Sequence, residues 1–156
     1  MVSTSTRLTH RERVATRKLM WVGPLTIVVV VLLNLVVHTL AISFFGVAAS
    51  FLYFQIPVVI GSTVSFLLLA LLAFVLVGRF SRQPVRIFWI VAGAALLVSF
   101  LNPFLLLAGW WLPVAGMNVH IFWTMIVMHM VSALIAVSML TTHAVERSQS
   151  LAADTL

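Results

Sequence analysis

The chain has 156 residues, of which 63% are hydrophobic and only 8% charged, and its mean hydropathy is +1.20. A water-soluble domain of this size needs far more charge to cover its surface, so the composition points to one compact domain whose solvent is lipid. Cysteine is absent, which excludes a disulfide framework, a thiolate metal site and thiol–disulfide oxidoreduction. The pI near 11.8 comes from basic residues bordering apolar blocks. Their expected partners are anionic lipid head groups, at about 1 kcal/mol per juxtamembrane Lys or Arg, and no nucleic acid is expected.

In chain order, residues 1–21 form a basic arm that contains Thr9-His10-Arg11-Glu12. This tetrapeptide has the form of a capping box and predicts a short interfacial helix. Gly23-Pro24 then predicts a break or kink, with Pro24 in the first turn of the following span. Four apolar blocks follow at 22–44, 57–78, 86–108 and 118–141. Each has the roughly 20 residues that cross about 30 Å of hydrocarbon at 1.5 Å per residue. Strand-like alternation is missing, so the remaining spanning option is an all-α membrane protein, a bundle of four transmembrane helices running up-down-up-down. The apolar run at 19–45 exceeds the roughly 7–15 residues of a signal h-region, so it is expected to stay as the first span, although Val47-Ala48-Ala49 would pass as a cleavage site by size. Residues 144–156 read as a short frayed tail.

All nine Lys and Arg residues fall on one side of this pattern. Arg7, Arg11, Arg13, Arg17 and Lys18 precede the first block; Arg79, Arg82 and Arg86 lie between the second and third; Arg147 follows the fourth. The other two connections, 46–55 and 109–116, carry no charge. Basic flanks are retained in the cytoplasm, so both termini are expected inside, in the cell (plasma) membrane of a multi-pass protein. Trp21 and Trp89 mark the inner interface. Trp110, Trp111 and Trp123 mark the outer one, thickened by Phe51, Tyr53 and Phe54 in the first hairpin loop.

Counting from the middle of each block places Asn34, Ser65, Ser99 and His129 within roughly 4 Å of the midplane. His38, Ser62 with Thr63, and Asn102 form a second layer about 8 Å further out on the same count. Asn34 and His38 are spaced i,i+4, and Ser62/Ser65 and Ser99/Asn102 are spaced i,i+3, so each pair shares a helix face. Such faces are expected to point inward, because lipid offers polar groups no partner. Small residues (Ala41, Gly61, Ala95, Ser132, Ala133, Ala136) continue them and permit close helix approach. One reading has these polar groups hydrogen-bonding across the bundle; the other makes them an outward-opening polar pocket for a small ligand, ion or lipid.

His129, central in the fourth block, is the residue singled out, with Asn34 or Ser99 as its expected hydrogen-bond partners. His120, near the outer interface, and His143, at the inner end, are expected to be solvated, and His10 belongs to the cytoplasmic arm. Asn102-Pro103 frees the carbonyl of Ser99 and can bend the third helix. Met128-His129-Met130 is not a metal path, because neighbouring residues on a helix point about 100° apart. No metal or cofactor is expected.

Three segments carry a resemblance: Asn34-Leu35-Val36-Val37-His38, then Arg79-Phe80-Ser81-Arg82-Gln83-Pro84-Val85-Arg86-Ile87-Phe88, and Met128-His129-Met130-Val131-Ser132-Ala133. Across roughly residues 18–143 the chain resembles small four-span bacterial membrane proteins carrying a domain of unknown function. The resemblance implies a four-helix architecture with a central Met-His pair in the last span, and carries over no catalytic or binding residue.

The functional expectation is a non-enzymatic integral membrane protein with a structural, accessory or partner-binding role, with a membrane-protein partner or a homo-oligomer as its company. The alternative is a small oligomeric transporter or channel with a polar pocket around Asn34, His38, Asn102 and His129. Against it, the blocks contain no carboxylate for proton coupling, and the one-sided charge opposes dual-topology insertion. A b-type haem carrier is less favoured still, since His38 and His129 differ by about 9 Å in depth.

Overall fold

The computed structural model describes residues 10–48, 50–110 and 115–149. Within them four helices follow one another: α1 Thr16–Phe45, α2 Ile56–Phe80, α3 Pro84–Leu107 and α4 Val119–His143. All four are long and apolar enough to cross a membrane. The architecture is the expected all-α four-helix bundle of a multi-pass membrane protein. Neighbours around it are α1–α2, α2–α3, α3–α4 and α4–α1, the last pair making the most extensive contact.

The helix ends follow from local chemistry. Pro57 and Pro84 sit in the first turns of α2 and α3, where a missing N–H costs nothing. The Asn118 side chain caps α4, accepting a hydrogen bond from the Ile121 N–H at 3.0 Å. Gly46 ends α1 at φ 62, a left-handed conformation open to glycine without strain. Pro24 does not break the chain: α1 begins at Thr16 and runs through it. Gly23 lies where an added Cβ would come within 3.3 Å of Leu71 Cδ2, so its smallness serves the approach of α1 to α2.

Two further departures occur at the bundle ends. The arm is not an interfacial helix: His10–Val14 is a strand, β1, paired antiparallel with β2, Val145–Gln149. The two segments leave the bundle at the same end, and the Ala15 N–H bonds the Ala144 carbonyl at 2.9 Å to start the ladder. The register sets position 12 opposite 147 and position 13 opposite 146. Thr9, the expected cap, lies outside the described residues, as does Trp111.

At the other end Phe51 and Phe54 are not an interfacial belt. They are buried, on and beside a 3-10 turn at Leu52–Phe54, and pack with Ala41, Leu106, Ile121 and Met125 as a plug. The middle of the bundle is held by Val30, Leu67 and Ala136. The basic end is held by Phe74, Phe88, Val137 and Leu140, with the Phe74 and Phe88 rings edge-on at 4.8 Å. Large apolar side chains such as Leu32, Val36, Phe66, Leu69, Leu97 and Leu134 cover the outside. On a soluble protein such a surface would be a vast exposed patch; here it is the lipid-facing one.

Candidate functional site

α1 supplies two buried polar side chains, Asn34 and His38, that reach other parts of the fold. Asn34 is only 3% exposed. Its Nδ2 donates to Thr63 Oγ1 on α2 at 3.0 Å and to Ser132 Oγ on α4 at 2.9 Å. The Ser132 hydroxyl in turn donates to the Met128 carbonyl at 2.7 Å. One carboxamide thereby ties three helices together, since both of its N–H groups find a hydroxyl oxygen. Its Oδ1 is buried without a hydrogen-bond partner. Turning the amide over would move the deficit to the nitrogen, so one polar atom of this group stays unpaired in either orientation.

One turn further along α1, His38 is also buried. Its Nε2–H donates to the Phe54 carbonyl at 2.7 Å, and its ring stacks on the Phe54 ring at 5.6 Å. The histidine thus binds the plug to α1, both by satisfying a loop carbonyl that lipid could not satisfy and by ring contact.

The other candidate residues are placed elsewhere. His129 does not reach Asn34 or Ser99. Its Nδ1–H donates to the Met125 carbonyl of its own helix at 2.6 Å, and its ring meets Phe100 edge-on at 6.4 Å. Ser62 and Ser65 lie on exposed faces of α2, their hydroxyls donating to the carbonyls of Val59 at 3.2 Å and Gly61 at 2.8 Å. Ser99, half-buried, donates to the Leu96 carbonyl at 2.7 Å. Asn102 is exposed and its carboxamide makes no hydrogen bond within the described residues. The expectation that all these faces point inward therefore gives way for Ser62, Ser65 and Asn102. A hydroxyl that bonds back to its own helix is already satisfied, so lipid exposure costs a serine little. Replacing Ser62 and Ser65 together by alanine should accordingly change the melting temperature in detergent by no more than about 1–2 °C, since substitutions away from such features stay within about 0.5 kcal/mol.

The two depth layers also merge. Asn34 and Thr63, assigned to different layers, are joined directly. The longer α1, starting at Thr16, has its midpoint nearer the basic end than the apolar block implied. Asn34 thereby lies about 5 Å beyond that midpoint toward the uncharged end, by helical rise. Thr63 and Ser132 are the partners that counting by depth did not connect to Asn34. The available signal was the i,i+3 pairing of His129 with Ser132, which puts the hydroxyl one turn from the histidine on the same face.

The basic residues ring one end. Arg17, Lys18, Arg79, Arg82 and Arg86 have exposed side chains, and Arg11, Arg13 and Arg147 occupy positions in the two-stranded ribbon. Arg7 lies outside the described residues. A cleft of about 510 Å³ at this end is lined by Val85, Trp89, Thr141, Thr142 and Val145. Among the described residues no three His, Cys, Asp or Glu side chains converge as a metal site. No family model, no curated protein and no solved structure matches the chain.

Proposed function

We propose that this chain is a non-enzymatic integral protein of the plasma membrane, basic end in the cytoplasm, acting as a structural, accessory or partner-binding component. The observation that carries the reading is how the interior polar groups are used. Asn34 holds three helices together and His38 holds the plug, while Asn102 and His129 stand apart from them. Among the described residues no acid, base and nucleophile are assembled around the buried pair, which argues against chemistry at this point. The one-sided basic rim supports the cytoplasmic orientation and contact with anionic head groups. The three motif segments named above support kinship with the small four-span bacterial family.

A second reading, a small oligomeric transporter or channel, is favoured by one observation, the unpaired buried Oδ1 of Asn34. It would offer an acceptor to a polar guest between α1, α2 and α4.

Reconstitution separates the readings. Purified protein in liposomes is expected to move no tested ion or small solute above the protein-free rate. His129→Ala is expected to lower stability by about 1 kcal/mol, the worth of one hydrogen bond and a ring contact. Solute-dependent flux that His129→Ala or Asn34→Ala abolishes in a fully folded variant would replace the accessory reading with the transporter.

A further inference from the structure

α3 is the least enclosed of the four helices, with 11% of its most apolar window buried against 39% for α4. One of its exposed faces has a distinct composition. Val91, Ala95, Val98 and Asn102 are all exposed and are spaced by four, three and four residues. That is the spacing of a coiled-coil seam, in which every such side chain meets a facing helix, with Ala95 and Asn102 one heptad apart in equivalent positions. Asn102 lies about 10 Å beyond the middle of α3 by helical rise, inside the roughly 15 Å half-thickness of the hydrocarbon. Its carboxamide has no hydrogen bond within the described residues, and acyl chains can supply none. Unlike Ser62 and Ser65, it has no return bond to its own helix.

We infer that this face of α3 is the contact surface for a second copy of the same chain, with Asn102 paired to Asn102 across a two-fold axis along the membrane normal. Three points select that occupant. A carboxamide both donates and accepts, so two of them form a reciprocal pair and the group is its own complement. All copies insert with the same end basic, so two α3 helices meet in parallel and each residue faces its own equivalent at the same depth. The small Ala95 lies two turns below the amide and lets the backbones approach, as lipid-phase association requires. A lone asparagine in such a seam also fixes register and favours two strands. The inference rests on the membrane-spanning architecture and not on the roles given to Asn34 and His38.

The absence of cysteine makes the test direct. Ala95→Cys and Val98→Cys are each introduced singly into the full chain with Asn102 intact, and oxidised in native membranes. A disulfide-linked species at twice the 17.2 kDa chain mass is expected for both. Leu97→Cys on a different face of α3, and Phe66→Cys on α2, should give none at the same time point. Adding Asn102→Leu should weaken the association of the Ala95→Cys protein roughly tenfold, whereas Asn102→Gln, which keeps a carboxamide, should preserve it. Asn102→Leu breaks no side-chain hydrogen bond among the described residues, so its circular dichroism and melting should match the parent, which separates lost association from lost folding. Equal cross-linking at Ala95 and Leu97 would overturn the inference. So would indifference to Asn102→Leu, or an adduct whose mass shows a different protein as partner.

Discussion

Replacing Phe74 with alanine is expected to produce the largest loss of stability of any single substitution considered for this chain, about 2–3 kcal/mol. Phe74 is fully buried, and its ring meets the edge of Phe88 where α2, α3 and α4 close the basic end. In a water-soluble core, Phe→Ala costs about 3–5 kcal/mol, part of it the transfer of the ring out of water. That part falls away when the unfolded reference is still in lipid, because acyl chains are as apolar as the core. What remains is the lost dispersion around the cavity and the lost ring pair. Reversible unfolding in mixed micelles measures the difference, and Phe66→Ala, at an exposed site on the same helix, is the control with almost no effect. If the two alanine variants were equally stable, the packing at the basic end would not be as described.

Asn34→Ala is expected to cost about 1–2 kcal/mol. Two interhelical hydrogen bonds are lost, at a membrane average of about 0.6 kcal/mol each, together with a small cavity term. Double-mutant cycles should show coupling of Asn34 with Thr63 and with Ser132, and none with Ser65, whose hydroxyl bonds its own helix. Asn34→Leu is the more telling variant. It restores volume and removes both the unpaired oxygen and the two donors, and is expected to stay below the parent in stability. Were it clearly more stable, the buried amide would be held at a cost to folding, and the transporter reading would gain weight over the packing one.

The same pair of residues shows how far sequence reasoning carried. Asn34 and His38 were legible because a carboxamide and an imidazole four residues apart in an apolar helix must share a face, and neither can be satisfied fully by its own backbone. Ser62, Ser65 and Ser99 were not, because the same polarity argument was applied to hydroxyls that the helix itself can satisfy. His129 belongs with the serines: it has an acceptor one turn back in the Met125 carbonyl. Phe51 and Phe54 were assigned to the interface by residue type. Their three-residue spacing across a 3-10 turn that Phe51 precedes and Phe54 ends, together with a buried histidine that donates to the Phe54 carbonyl, sends them inward. The ribbon at the basic end needed a partner strand 135 residues after its first, a pairing no local signal announces.

Composition and hydropathy by themselves determined that four helices cross lipid, roughly where each begins and ends, and that every cation gathers at one end. These follow from the cost of exposing backbone and charge to hydrocarbon, which acts on each segment alone. Tertiary structure decided which polar groups meet: that Asn34 takes Thr63 and Ser132, that His38 holds a loop carbonyl, and that Asn102 is left facing outward. Those outcomes depend on the rotation and axial offset of whole helices against one another, set by the close approach at Gly23 and by the aromatic packing at both ends. A segment read in isolation carries no information about its neighbours' rotation.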